Sequence, residues 1–471
     1  MKSFSVKTSA FQFGNRLVPS FYYYTQILKE KNKKHGIDYE VLEDLCDTIS
    51  DGEHSHIKRN KNEGVRYLYG RNIKEGIINF DPISDDPYIT KNDYSLFTRC
   101  HIKQDDVLIA IYGTIGKSAV YKNEYVGTAG IPRHISNIRL KSESKITSEF
   151  LTAYFRSKLG KGQLFSSTTG NIQQLLSLKN IRKLDIPIPE KNIIKKVSEI
   201  EVKAIKYEIQ ALALIEKAKS YFYDKTDLKN QNFEYKKHFE TNISGLKSYD
   251  LWTPKYSFPY YNDFITFLRS SFPIESLGKL VEIKNGDEVG SINYINYEDK
   301  KEKDVAFIRT SDIVNFEIDQ YPDYFIEKTV FDELNQDINQ NDIILTKDGK
   351  IGLTALIGEN DNVIISSGIS RLRTNEYAKE IGLTQEYLFL MLAIKEVGLY
   401  GSQKRSVVAS TIPHLREERL KDLEVPILDK ESIKIISEFI EKAFKLKDKR
   451  KLLVKESVKI LDNYFKLEDD L

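Results

Sequence analysis

Cysteine is nearly absent. The 471-residue chain holds two, Cys46 and Cys100, which excludes a disulfide framework and suits a reducing compartment; one bridge between them is the only covalent alternative. Net charge is missing too. Lys and Arg number 71 against 69 Asp and Glu, so the balance is only +2 and any nucleic-acid surface has to be a local patch. No run approaches the ~20 apolar residues a membrane span needs. The opening MKSFSVKTSAFQFG has no apolar signal core, and the expectation is a soluble, cytoplasmic protein that does not engage a membrane. Catalytic motifs are also lacking. There is no Gly-x-x-x-x-Gly-Lys-Ser/Thr loop, no Gly-rich cofactor loop, no Asp/Asn-Pro-Pro-aromatic tetrapeptide and no Gly-x-Ser-x-Gly elbow. His54 and His56 have no Cys or second ligand cluster nearby. Glu282-Ile-Lys284 and Glu298-Asp-Lys300 fit the Glu-x-Lys tail of a nuclease site, but that pattern arises by chance in any Lys/Glu-rich chain. The simplest reading is a chain with no active site, cofactor or metal of its own.

What is present is a folded chain, 40% hydrophobic and 11% aromatic, long enough for two to four domains. Within it a pattern recurs. DDVLIAIYGTIGK (105–117) returns as NDIILTKDGKIGL (341–353), with Gly113 and Gly116 matching Gly349 and Gly352 at one offset. Other pairs keep the same order. A proline precedes a tyrosine-rich stretch in RLVPSFYYY (16–24) and in DLWTPKYSFPYY (250–261). VRYLYGRNI (65–73) faces VAFIRTSDI (305–313), each a short β run ending in a polar turn. TAGIPRHISNIRL (128–140) faces SSGISRLRT, which ends at Thr374. ITSEFLTAYF (146–155) faces LTQEYLFLML (383–392), each with a hydroxyl residue ahead of Glu and an apolar face, the signature of a helix start. LDIPIP (184–189) faces LEVPIL (423–428). A period this long means domain duplication rather than a solenoid.

Each half ends in a helix-period segment. After Pro189, the residues Ile193, Val197, Ile200, Ala204, Tyr207, Ala211, Leu214, Ala218 and Tyr221 alternate spacings of four and three, a heptad seam. In the second half Ile436, Ile440, Ala443, Val454, Leu461 and Tyr464 keep that spacing, with polar lapses at Lys447 and Arg450. Two stripes this long and apolar are expected to pair. Antiparallel pairing would place the two domains at opposite ends of a rod about 50 Å long, related by a pseudo-twofold axis.

This order resembles the specificity (S) subunit of type I restriction–modification enzymes over nearly the whole chain. The resemblance rests on the duplicated Asp-apolar-Gly-x-x-Gly loops, the IPIP and VPIL strands and the two heptad helices. It departs where family members commonly carry Glu-Gln after the proline-rich strand; here the positions read PEKN and LDKE. The implied fold is α+β: two similar α/β target-recognition domains (1–189 and 230–428) separated by a pair of long antiparallel coiled-coil helices (190–229 and 429–471), pseudo-twofold symmetric. The implied function is reading a bipartite DNA target without catalysis. The implied partners are double-stranded DNA, two methyltransferase (M) subunits on the helical rod, and restriction (R) subunits joined through them. S-adenosylmethionine, ATP and Mg are then expected in those partner subunits and not in this chain.

Candidate DNA contacts follow from residue type. Lys117 and Lys350 beside the Gly-x-x-Gly loops could neutralise phosphate, although the glycines serve equally as a tight strand connection. The hydroxyl- and amide-rich stretches 163–174 and 400–416 occupy equivalent places and offer Ser166, Thr168, Asn171, Gln173, Gln403, Lys404 and Arg405. Arg133, His134, Arg139, Arg371 and Arg373 lie on strand-like runs where some share a face. For each of these a solvated surface is the alternative. The aromatic stretches 21–24 and 256–261 could stack on bases, but packing where a domain rests on the rod suits them better. Two other functional classes remain on the residues alone. A duplicated nuclease-like enzyme would repeat catalytic residues, whereas the repeated positions here are Gly, Ile, Leu and Pro. A coiled-coil adaptor for proteins only would not need dissimilar polar loops on similar domains.

Overall fold

In the computed structural model, the chain is described over residues 22–24, 28–34, 36–60, 64–80, 87–169, 175–231, 233, 238–240, 251–297, 300–409 and 411–465. Asn171, Gln173, Glu298, residues 16–21, Asp250 and residues 466–471, where the last helix was expected to end, lie outside these residues. The chain forms two compact units. One comprises residues up to 79, 84–206 and 450–471; the other comprises 80–83 and 207–449. Four helices organise them: α1 (Ser148–Arg156), α2 (Lys191–Thr226), α3 (Gln385–Ala393) and α4 (Lys430–Tyr464). The long helices α2 and α4 begin close to the expected starts, and each is divided between the units near its middle.

In the first unit, β1 (Asp38–Val41) pairs antiparallel with β9 (Asp185–Ile188). The main sheet has the order β2-β8-β5-β6, from Cys46–Asp51, Ile135–Leu140, Val107–Ala110 and Ser118–Val120. A smaller sheet has the order β4-β3-β7, from Tyr88–Ile89, Val65–Tyr67 and Ala129–Gly130, with β3 and β7 parallel. The second unit repeats this strand by strand. Antiparallel β10 (Ile274–Ser276) and β23 (Glu424–Pro426) match β1 and β9. The sheet β11-β20-β17-β18 (Val281–Asn285, Ile369–Thr374, Ile343–Thr346, Thr354–Leu356) matches the main sheet. The sheet β12-β16-β13-β19 (Ile295–Asn296, Tyr324–Ile326, Val305–Ile308, Val363–Ile365) matches the smaller one with one strand added. The hairpins β14 (Ile313–Val314) with β15 (Glu317–Ile318) and β21 (Val407–Ala409) with β22 (Ile412–His414) complete it. Even the register repeats: Val107 faces Ile138 and Val120, as Ile343 faces Leu372 and Leu356.

The apolar run of β17 explains itself by period two. Ile343 and Leu345 enter the core that contains α3 and the long helices, while Ile344 faces Ile308 and Ile365 of the smaller sheet. Such a strand is buried on both faces and reads as continuous hydrophobe. α1 and α3 begin at Thr147 and Thr384, whose hydroxyls cap the N–H groups of Phe150 and Tyr387 at 3.1 Å. Each cap also meets a serine of a long helix: Thr147 Oγ1 lies 2.7 Å from Ser198 Oγ, and Thr384 Oγ1 2.6 Å from Ser437 Oγ.

The seam of the long helices differs from expectation in one row. Val197, Ala204, Ala211 and Ala218 are buried as expected. The companion row is Ile194, Glu201, Glu208, Ile215 and Phe222, one position on from the expected Ile193, Ile200, Tyr207, Leu214 and Tyr221, which are half-buried. On α4 the two polar lapses lie in the seam itself, with Lys447 and Arg450 almost fully buried, and Phe465 is buried in place of Tyr464. A search for apolar periodicity passes over Glu201 and Glu208 because it does not see their partners. Arg156 Nη2 lies 2.5 Å from Glu201 in the first unit, where Ser457 Oγ also donates to that carboxylate. In the second unit Lys447 Nζ donates to Glu208 at 3.0 and 3.2 Å and to Glu317 at 3.3 Å, and Asn315 Nδ2 donates to Glu208 at 3.1 Å. Glu208 with Lys447, and Tyr221 with Ser432 (3.3 Å), run in opposite order along the two helices, so the pairing there is antiparallel.

Cys46 and Cys100 are buried free thiols, and burial pushes them up to about 12 and about 11 respectively. Among the described residues no helix is long and apolar enough to cross a membrane.

Candidate nucleic-acid interface

In each unit several loops converge at one end of the sheets. The β5–β6 connection carries Gly113 and Gly116 at φ +78° and +83°, and the β17–β18 connection carries Gly349 and Gly352 at +68° and +88°. That left-handed backbone is what glycine permits, so the paired glycines are required by the hairpin turn. Gly116 N donates to Ala110 O and Gly352 N to Thr346 O, both at 2.9 Å. Thr114 Oγ1 ties the first loop to Gly70 O (3.2 Å), in the turn after β3. In the second unit Gly368 adjoins Thr310, in the turn after β13, and Asp348.

A further segment meets each Gly loop. Tyr112 bridges antiparallel to Leu175, and Asp348 to His414. The flanking bonds correspond: Leu176 N donates to Ile111 O (3.1 Å) and Leu415 N to Lys347 O (2.8 Å). Tyr112 and Leu175 are exposed apolar side chains, whereas His414 Nδ1 lies 2.7 Å from Asp348 Oδ1. Val408 and Ile412 stand exposed on the β21–β22 hairpin.

Cations gather around the first of these faces. The His134 ring lies 5.4 Å from that of Tyr112. Arg59 and Arg71 stack on Tyr69 at 3.7 and 4.1 Å from the ring centre. Burial, then the charges of Arg133, Arg59 and His54, hold His134 below its ordinary value. Arg133 is exposed beside it. In the second unit Arg309 stacks on Tyr324 (4.2 Å), and Arg416, two residues beyond His414, is exposed.

Most of the charged candidates read from the sequence are engaged within the fold instead of standing on this face. Arg139 holds the fully buried Asp106 through two bonds of 2.8 and 2.7 Å. Arg373 holds the equivalent buried Asp342 at 2.7 and 2.8 Å and also reaches Asp337. These bonds, Asp342 foremost, hold the Arg373 guanidinium above its ordinary range. Arg371 is buried within 3.4 Å of Glu282. Lys404 is buried with Nζ 2.6 Å from Asn262 Oδ1, and desolvation pushes it down to about 8. Arg405 is buried and donates to Gly401 O (3.0 Å) and Asp422 O (2.6 Å). Lys117 and Ser166 are buried, while Thr168 donates to Phe165 O at 2.8 Å. Lys350 and Gln403 are half-buried near the Gly loop and the β21 hairpin. Of the twelve candidates among the described residues, only Arg133 and His134 join the convergent face of the first unit. Sequence reasoning missed Tyr112, Leu175, Asp348, His414, Arg59 and Arg71. The signal for two of them was the residue before the first glycine of each repeat, which differs where its neighbours match.

The aromatic stretches pack inward. Tyr22 is buried, Tyr23 and Tyr24 lie against the first core, and Tyr261 stacks on Tyr400 at 4.7 Å. His54 is engaged with Asp51 (2.8 Å), and among the described residues no group of three or more His, Cys, Asp or Glu could hold a metal ion.

The family model for the type I restriction modification DNA specificity domain matches twice, over residues 37–217 and 273–456. The chain belongs to this family. As a specificity subunit it contains two tandem DNA-specificity domains, which accounts for the duplication seen in register. Solved structures similar to this specificity subunit include the S subunit of a type I restriction–modification system from M. genitalium (12% identity, 91% of this chain and 95% of that one, TM-score 0.35). Another is the HsdS subunit from Thermoanaerobacter tengcongensis (14%, 92% and 97%, TM-score 0.29). A third comes from a study of complex assembly and conformational transition of the type I R-M system (15%, 91% and 97%, TM-score 0.28). No curated protein matches the sequence.

Proposed function

We propose that this specificity subunit reads a split DNA target, one part through each recognition domain, and that the paired helices α2 and α4 dock two methyltransferase subunits, through which restriction subunits join. The observation that carries the reading is conserved scaffold with divergent surface: strand order and register repeat between the domains, while the exposed residues where their loops converge do not. Two domains reading different bases require that division. The chain acts without catalysis of its own, and S-adenosylmethionine, ATP and Mg belong to the partner subunits. It works in the cytoplasm, on double-stranded DNA.

The test is a methylome. The chain is co-expressed with its methyltransferase partner, and modified bases are mapped genome-wide by single-molecule sequencing. Two short specific parts around a fixed gap, present only with this chain, is the expected result. Unchanged methylation with an assembled partner would end the reading.

A further inference from the structure

The two recognition domains meet their last segment in the same way but with opposite chemistry. Tyr112 and Asp348 occupy one position of the repeated loop, each immediately before its first glycine. Leu175 and His414 are their bridge partners, and the next residue, Leu176 or Leu415, is buried and bonded to an equivalent carbonyl. The backbone therefore fixes both positions in both domains and leaves only the side chain free to vary. One domain presents an aromatic ring and a branched aliphatic group, both exposed. The other presents a carboxylate and an imidazole 2.7 Å apart, each partly exposed. Around the first pair stand Arg133, His134, Arg59 and Arg71, and two residues beyond His414 of the second stands the exposed Arg416, cations of the kind that position a phosphate backbone.

We propose that these two bridge positions, Tyr112 with Leu175 and Asp348 with His414, determine which bases each domain accepts. The inference rests on the reading of the chain as a DNA specificity subunit. Side-chain chemistry sets the preference. An apolar pair contacts the thymine methyl, whereas a carboxylate accepts from the exocyclic amino group of cytosine or adenine. The half-site of the first domain then contains a thymine at the contacted position, and that of the second an amino-bearing base.

The experiment uses the full chain assembled with its methyltransferase, and the methylated motif is read by genome-wide sequencing. Three forms are compared with wild type: Tyr112→Asp with Leu175→His, Asp348→Tyr with His414→Leu, and the gentler Asp348→Asn. Gel filtration of each complex establishes assembly. The expected result is that each double variant alters or relaxes at least one base of a single half-site, about tenfold or more in relative methylation. The other half-site and the gap stay as in wild type. Asp348→Asn, which preserves shape, relaxes the same position as the second double variant. An assembled variant complex with the wild-type motif overturns the proposal. So does a change spread equally over both half-sites. If wild type itself yields no split motif, it is the specificity-subunit reading that fails, and the two failures are thereby separated.

Discussion

Arg139 and Arg373 show how a residue suited to DNA can be consumed by the fold. Each closes two bonds on an aspartate with almost no solvent exposure, and the two aspartates also accept from backbone N–H groups at equivalent places, Lys103 and Asn339. Removing a guanidinium strands a buried carboxylate, so Arg139→Met is expected to cost about 3–5 kcal/mol in the first unit, read from the urea midpoint. The bases recognised by any complex that still assembles should not change; a changed motif would return Arg139 to the interface. Lys404 gives a pH signature. Desolvation holds its folded-state value at about 8, against the ordinary lysine 10.5. Between those values the unfolded chain binds a proton that the folded unit does not, so this group makes stability rise with pH across the window. Below about pH 8 both states are protonated and the dependence vanishes. Lys404→Met should flatten the rise, seen as the difference between wild-type and variant urea midpoints at about pH 8 and about pH 10; an unchanged difference would mean that Lys404 is not buried as a cation. Neither residue was legible as interior. A Lys-Arg pair after a helix reads as surface until Asn262 and the carbonyls of Gly401 and Asp422 are seen around it.

At the scale of the element, the long helices were legible in one row and not in the other. Apolar periodicity found Val197, Ala204, Ala211 and Ala218 because small and branched residues mark a seam. It missed Glu201 and Glu208 because a buried carboxylate and an exposed one look the same in sequence. Their burial is made tolerable by partners from distant segments: Arg156 for Glu201, Lys447 for Glu208. Polar seam residues of this kind fix register, since any slip separates the pair. Lys447→Ala leaves Glu208 and Glu317 buried together, and about 3–5 kcal/mol of the second unit's stability should be lost. Replacing all three by Met is expected to recover most of that loss while relaxing the register. Denaturation midpoints check the first part, and cysteine cross-linking across Tyr221 and Ser432 checks the second. Full stability in Lys447→Ala would show that the cluster contributes little.

For the whole molecule, the duplication was legible because glycines at positive φ, prolines beside strands and helix caps cannot drift without breaking the turn they serve. The face that differs between the domains was legible only as an absence of repetition. Tyr112 and Asp348 sit inside a motif whose fixed residues drew attention, while Leu175 and His414 join them only through the fold. The division of α2 and α4 between two units suggests how to test whether their length sets the gap between the two parts of the target. Both helices pass from one unit to the other, between Lys206 and Tyr207 and between Lys449 and Arg450. A heptad inserted at each of these points preserves the seam of both units. Seven residues add about 10.5 Å of helix, close to three base pairs at 3.4 Å each. The methylated motif should keep both half-sites and gain about three base pairs in its gap. A gap of unchanged length would mean that something other than the helix pair sets the spacing. Altered half-sites with a constant gap would mean that the helices take part in reading bases, and the assignment of recognition to the loops of each unit would then have to be given up.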